Sequence, residues 1–114
     1  MQFKLILAMV QDDKVDKLLK AARDAGATGA TVITNARGEG RQPHKTFFGL
    51  ELTTQRDMVL LVVEESMSRR ILETISEVAE LDEKPGTGIA FQIAIEDAVG
   101  LASQIKELSE KVED

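Results

Sequence analysis

Met58-Val59-Leu60-Leu61-Val62-Val63 is an unbroken apolar run that ends at the acidic pair Glu64 and Glu65. An apolar run of this length, rich in β-branched residues, predicts a strand that is too apolar to lie at a wet surface. Ser66 then opens a segment with the period of an amphipathic helix. The residues that share its apolar face are Met67, Ile71, Ile75, Val78 and Ala79. The sequence therefore predicts a buried strand followed directly by a helix.

The start of the chain repeats this order of strand and helix. Residues 3–10 are apolar apart from Lys4, which predicts a strand covered on both faces or nearly so. From Asp12 to a stop at Gly26 the period becomes helical. The apolar face of this second helical segment consists of Val15, Leu18, Leu19, Ala22 and Ala25.

Two further strands complete the pattern. Residues 27–34 are rich in β-branched side chains, and residues 89–95 alternate in the manner of a half-buried strand. The resulting order is βαββαβ, which predicts an α+β fold in a single domain over residues 1–114. Two parts lie outside this order: a long loop over about residues 35–56 and a C-terminal helical extension over about residues 97–114.

Composition excludes several classes of protein. The chain has no cysteine, so it forms neither a disulfide framework nor a thiolate metal site, and a cytoplasmic location is expected. Its net charge of -6 argues against a nucleic-acid binder, because phosphate neutralisation requires clustered Lys and Arg. The apolar run at the N-terminus is too short to span a membrane, and no small-residue cleavage site follows it.

Catalysis and metal binding are disfavoured by the same residues. The lone histidine, His44, has no acidic partner at a helical or strand spacing that would orient it. The acidic runs lack the pattern of a calcium-binding loop. We therefore expect no catalytic residue, no metal site and no enzymatic activity, and we interpret His44 as a solvated loop residue.

The long loop is the most informative segment, because loops beyond about 12–15 residues are uncommon in compact domains and usually functional. Its stretch Gly38-Glu39-Gly40-Arg41-Gln42 combines two glycines, whose backbone can approach an anion closely, with the bidentate donor Arg41. Gly86-Thr87-Gly88 is a second glycine-rich turn. Each stretch alone is also compatible with an ordinary turn, but two of them in one small domain favour a shared anion site.

Apolar residues gather near the far end of the loop. Phe47, Phe48 and Leu50, close to His44 and Lys45, would mark a partner surface if they were exposed to water. The alternative is a β-ribbon in which they bury one another. The sequence leaves both interpretations open.

Together these residues resemble the PII family of trimeric signalling proteins and its PII-like relatives. The resemblance runs from Phe3 to about Val99 and includes Thr28-Gly29-Ala30-Thr31-Val32, both glycine-rich stretches and the long loop. It implies a ferredoxin-like sandwich, a homotrimer and an adenine nucleotide bound in each cleft between subunits. By this resemblance the loop-base side of the cleft contains Thr31, Gly38, Glu39, Gly40, Arg41 and Gln42, and the second phosphate loop contains Gly86, Thr87 and Gly88.

The sequence departs from ATP-binding members of the family at the phosphate end of the site. Ile89 stands where those members place a lysine, with Lys84 as a displaced substitute, and Gly100-Leu101-Ala102 carries no cation where they place arginines. Each lost charged hydrogen bond costs about 1.5–3 kcal/mol, so AMP, ADP or a cyclic nucleotide fits better than ATP with magnesium. The chain has no tyrosine, which excludes the tyrosine modification used by some nitrogen sensors of the family.

The leading hypothesis is therefore a ligand-responsive regulatory trimer with no obligatory cofactor. Its long loop would control a membrane transporter or an enzyme complex, so the protein would be cytoplasmic or held at a membrane through its partner. The alternative is a constitutive scaffolding trimer that docks through Phe47, Phe48 and the C-terminal stretch. A small enzyme or metal-handling protein on the same fold is the third hypothesis, and nothing in the residue spacing favours it.

Overall fold

A computed structural model describes residues 1–36, 46–47, 50–51, 56–84 and 86–112 of the chain. The elements in chain order are β1 (Phe3–Gln11), a 3-10 turn (Asp12–Lys14), α1 (Val15–Asp24), β2 (Thr31–Ala36), β3 (Thr46–Phe47), β4 (Leu50–Glu51), β5 (Arg56–Glu64), α2 (Glu65–Ala79), β6 (Gly88–Ala94) and α3 (Ala102–Val112). The predicted α+β class and the βαββαβ order of the core are confirmed. The short strands β3 and β4 pair with each other within the long loop.

The four longer strands form one antiparallel sheet in the order β2-β5-β1-β6. β1 lies at the centre, where Leu7 is opposite Leu60 of β5 on one side and Phe91 of β6 on the other. Helices α1 and α2 pack against each other, and α2 also packs on β1, β5 and β6. This arrangement is the ferredoxin-like sandwich of two layers.

The hydrophobic core lies between the helices and one face of the sheet. Alternate residues of the two central strands point into it, and Ile6 and Val59 are fully buried there. Leu18 of α1 and Ile71 and Ile75 of α2 meet them from the helical layer. The helical period and the strand period of the sequence therefore converge on one packed interior.

Helices α1 and α2 leave the opposite face of the sheet without a helical layer, and we call it the open face. Residues directly opposite one another in adjacent strands share a face, so the register assigns the open face to Leu5, Leu7, Met9, Thr31, Ile33, Met58, Leu60, Val62, Ile89, Phe91 and Ile93. Ile33, Phe91 and Ile93 are 48%, 40% and 50% exposed. Phe3 at the start of β1 is buried on this face, but Leu5, Leu7 and Met9 are only partly buried, so the expectation that residues 3–10 are covered on both faces is not met along the middle of β1 in the chain by itself.

The second strand begins later than the sequence pattern predicts. Residues 27–34 have the composition of a strand, but β2 starts at Thr31 because the preceding residues complete the exit from α1. The Ala27 amide donates to the Ala22 carbonyl at 2.9 Å, and Gly26 has a φ of +124°. Backbone that closes a helix in this way does not pair with a neighbouring strand.

Ile75→Ala should lower the free energy of unfolding by about 2–5 kcal/mol, because the substitution leaves a cavity in a fully buried position. Urea unfolding followed by circular dichroism at fixed protein concentration measures the change. Glu77→Ala, on the exposed side of the same helix, is the control and should change stability by less than about 0.5 kcal/mol. Equal losses in the two variants would contradict this assignment of the α2 faces.

Candidate functional site

The two ends of the long loop lie at the same end of the sheet as the second glycine-rich stretch. In the strand register Arg56 at the start of β5 is opposite both Ala36 of β2 and Gln11 of β1. One step along β1, Val10 is opposite Gly88, where β6 begins. The loop base therefore meets the residues Gly86, Thr87 and Gly88, which we call the glycine turn.

Arg56 connects the loop base to the glycine turn directly. Its side chain is almost completely buried, with 1% of the residue exposed. Its Nη2 donates a hydrogen bond of 2.8 Å to the Gly86 carbonyl oxygen. A buried guanidinium binds a carbonyl more strongly than an exposed one because water does not compete for it. Displacement of the glycine turn would therefore also displace the side chain of Arg56, the first residue of β5 after the long loop.

The glycine turn is held in place by several further contacts. Thr87 Oγ1 lies 3.1 Å from the Glu80 carbonyl oxygen and 2.8 Å from that of Lys84, and it donates toward both. Gly86 has a φ of +81°, which side-chain-bearing residues rarely adopt. A Cβ at Gly88 would lie 2.3 Å from the Met9 carbonyl oxygen, so the turn enters β6 in close contact with β1. Among the described backbone bonds, neither the Gly86 nor the Thr87 amide donates to a carbonyl.

The charges beside the turn are organised by Glu80. This residue ends α2 in the left-handed conformation, with a φ of +56°. Its carboxylate oxygen Oε2 accepts a hydrogen bond from Lys84 Nζ at 2.7 Å. The other carboxylate oxygen, Oε1, lies 3.9 Å from Lys14 Nζ. The hydrogen bond and charge of Lys84, aided by Lys14 and Lys17 and opposed by desolvation, lower the pKa of Glu80.

The same ion pair raises the pKa of Lys84, mainly through its hydrogen bond to Glu80. Because the pKa of Glu80 is lower in the folded chain than its ordinary value of 4.5, the pair stabilises the folded state fully above that value. The stabilisation is lost as the pH falls through the lowered pKa. The arrangement of charges at the turn is therefore constant at neutral pH.

Thr31, the remaining described residue of the predicted nucleotide site, lies apart from the glycine turn. It is exposed on the edge strand β2 and opposite Leu60, whereas the turn leads into the other edge strand, β6. Three strand spacings of about 4.8 Å separate the two edges, or roughly 14 Å. A single phosphate group cannot contact both places within one chain.

Most predicted residues of the long loop lie outside the described residues. These are Gly38, Glu39, Gly40, Arg41, Gln42, His44, Lys45 and Phe48. Phe47 and Leu50 are opposite each other in the β3–β4 pair, which agrees with the β-ribbon alternative at the level of the backbone. Whether the apolar side chains of the loop form a partner surface stays a prediction.

The sequence reasoning did not identify two residues of this region, Arg56 and Glu80. Arg56 appeared only as the boundary of the long loop, and nothing in the local sequence indicates its contact with Gly86, thirty residues away. Glu80 lies in a charged stretch that is typical of a wet helix end. Its αL conformation and its two cations become apparent only from the tertiary structure.

A shallow groove on the open face lies beside Thr31. It has a volume of about 620 Å³ and is lined by Leu5, Gly29, Ala30, Thr31, Ile33, Leu60 and Val62. The nearby Thr28 Oγ1 is buried, and it has no hydrogen-bond partner within the described part of the chain.

The described ranges offer neither a metal-binding cluster nor a membrane span. Within residues 1–36, 46–47, 50–51, 56–84 and 86–112, no three His, Cys, Asp or Glu side chains converge as a metal site would require. Over the same ranges, no helix has the length and apolarity needed to cross a bilayer.

Comparisons with known proteins give consistent matches. The family model described as nitrogen regulatory protein P-II matches residues 3–104. Nitrogen regulatory protein GlnK2 of Haloferax mediterranei is 33% identical over 101 residues, which cover 84% of this chain and 80% of that protein. The crystal structure of a PII-like signaling protein from Thermus thermophilus superposes with a TM-score of 0.61 at 23% identity. That match covers 83% of this chain and 87% of the other, and it supports the fold alone.

Arg56→Met should lower the free energy of unfolding by about 1.5–3 kcal/mol, because it removes a charged donor from the Gly86 carbonyl. Hydrogen exchange at Gly86 and Thr87 should accelerate at the same time. Arg69→Met makes the same chemical change at an exposed ion pair with Glu73 and should cost about 0.5 kcal/mol or less. If amide exchange in the glycine turn were the same in both variants, Arg56 would not hold the turn.

Proposed function

The chain belongs to the nitrogen regulatory protein P-II family, and from this premise we propose that it is a non-enzymatic sensor whose long loop reports nucleotide binding to a partner. The regulatory signalling role follows from the family, and the resemblance noted in the sequence is confirmed for family and fold. The proposal adds a homotrimer, an adenylyl nucleotide such as AMP, ADP or a cyclic nucleotide, and a membrane transporter or enzyme complex as the partner. It places the protein in the cytoplasm.

The hydrogen bond from Arg56 to Gly86 carries the proposal. A ligand that binds at the glycine turn acts on the Gly86 backbone, and Arg56 is the first residue of the strand that follows the loop. A ligand shifts a conformational equilibrium only if it binds the two states differently. Because the buried contact links the turn to the loop base, a ligand that favours one position of the turn would also favour one position of the loop base.

The open face supports assembly into a trimer. It presents a continuous set of apolar side chains on all four strands, and three of them are about half exposed in the single chain. Burial of apolar surface contributes about 25 cal/mol per Å², so a face of this size is stabilised when copies cover one another. Apolar patches of several hundred Å² in soluble proteins usually mark interfaces.

A cleft between subunits would also bring together the separated parts of the predicted nucleotide site. Thr31 lies at the β2 edge of the sheet and the glycine turn at the start of the β6 edge strand. We propose a closed ring in which the β2 edge of one copy faces the β6 edge of the next. The proposed cleft would then contain Thr31 of one copy and Gly86, Thr87 and Gly88 of the next, together with the predicted loop residues Gly38, Glu39, Gly40, Arg41 and Gln42.

The cations near the glycine turn favour a small nucleotide. Ile89 follows the turn with no charge, and the described cations beside the turn are already engaged, Arg56 by the Gly86 carbonyl and Lys84 by Glu80. A triphosphate would therefore meet few compensating charges. A nucleotide with one or two phosphates requires fewer of them.

The oligomer can be tested with a charge on the open face. Light scattering should give a mass three times the 12.5 kDa of one chain, and Phe91→Glu should reduce it to that of a monomer because a carboxylate would be buried without a partner. Arg70→Glu, on the exposed side of α2, introduces the same residue and should leave the mass unchanged. A monomeric parent protein would remove the intersubunit cleft from the proposal.

The ligand can be tested by thermal unfolding with AMP, ADP, cyclic AMP and ATP with magnesium. A ligand at a hundredfold its Kd stabilises the folded state by about 2.7 kcal/mol, which raises Tm by several degrees. Arg41→Ala should abolish the shift, whereas Arg70→Ala, on the exposed side of α2, should retain it. If no nucleotide raises Tm, the sensing part is wrong. Partner binding that no nucleotide alters would favour the constitutive scaffold.

A further inference from the structure

Glu80 is placed to control the charge of the glycine turn. Its backbone carbonyl accepts hydrogen bonds from the Thr87 hydroxyl and from the Lys84 amide, so the residue is part of the same local structure as the turn. Its side chain forms separate contacts, which are ion pairs. Each of its two carboxylate oxygens engages one cation, Lys84 on one side and Lys14 on the other.

The two cations come from different parts of the chain and meet at this carboxylate. Lys14 ends the 3-10 turn that precedes α1, and its side chain is only 21% exposed. Lys84 lies beyond the end of α2, and its side chain is 65% exposed. Glu80 and Lys84 are four residues apart, as Lys20 and Asp24 are, whereas the pairing of Glu80 with Lys14 joins distant parts of the chain.

An anion at the glycine turn would compete with Glu80 for these cations. The turn offers backbone amides of Gly86 and Thr87 that no described carbonyl accepts, and such amides attract anions. The carboxylate of Glu80 repels an anion at short range and neutralises the positive charge that would otherwise assist it.

We propose that Glu80 is an affinity-setting residue: it weakens anion binding at the glycine turn by retaining Lys84 and Lys14 in ion pairs. The inference rests on the proposed function, because it assumes that a phosphate group binds at this turn. It assigns to Glu80 a reduction in affinity, which would keep a sensor responsive at higher ligand concentrations. Binding of a phosphate then transfers Lys84 from the carboxylate to the ligand.

Other acidic groups near the turn do not have this arrangement. Asp82 is oriented toward the Ser76 hydroxyl at 3.4 Å, in the groove between α2 and β6. Glu77, one turn before Glu80 on α2, is exposed and forms no ion pair among the described residues. Glu77 therefore provides a control with the same change in net charge.

The test compares Glu80→Gln with Glu77→Gln by isothermal titration calorimetry, with ADP and with inorganic pyrophosphate as probes. Glu80→Gln keeps the size of the side chain and its backbone contacts, and it should bind both probes about three- to tenfold more tightly than Glu77→Gln. Raising the salt concentration should reduce this difference, because the interactions are screened. Adding Lys84→Met to Glu80→Gln should remove most of the gain.

The outcomes separate this inference from the proposed function. If the parent protein binds ADP and the two Gln variants bind it equally, Glu80 does not set the affinity and the proposed function stands. If neither the parent protein nor Glu80→Gln binds either probe, both the inference and the nucleotide part of the proposed function fail. The double variant with Lys14→Met and Lys84→Met, in which Glu80 is unchanged, should bind both probes more weakly than the parent protein. Equal affinity of the double variant and the parent protein would also overturn the inference.

Discussion

The position of β1 between β5 and β6 is the constraint on which the rest of this structure depends. A slip of one residue in either pairing would turn Ile6 and Val10 away from the helices, so burial of these side chains fixes the register on both sides. The fixed register then places Arg56 and Gly88 at the same end of the sheet. The geometry of the candidate site is therefore set by packing of the core, and the hydrogen bond from Arg56 to Gly86 follows from it.

The charges of this region act at short range. The chain as a whole carries a net charge of -6, so its long-range field repels nucleotides rather than attracting them. Binding at the glycine turn must therefore come from backbone amides and a few nearby cations. Because two of these cations are paired with Glu80, the proposed nucleotide would have to compete with this carboxylate for them.

The two faces of the sheet have different roles. The helix-covered face supplies the stability of the single chain, while the open face leaves apolar residues such as Phe91 and Ile93 about half exposed. One face of β6 therefore packs on the core of its own chain, and the other face would pack against further copies in the proposed trimer. The proposed trimer explains why both sets of alternate residues in β1 are apolar, since each would be covered in the assembly.

The sequence by itself determined the class of each core element and the family, because hydrophobic period and glycine-rich turns are local signals. It could not determine that the apolar set Ile89, Phe91 and Ile93 of β6 faces away from the helices, since alternation identifies an apolar face but not what covers it. Nor could it reveal Arg56 against Gly86 or Lys14 beside Glu80, because these contacts join residues far apart in the chain. Only the tertiary structure decided them: strand order and register bring distant residues together, and local pattern carries no information about that distance.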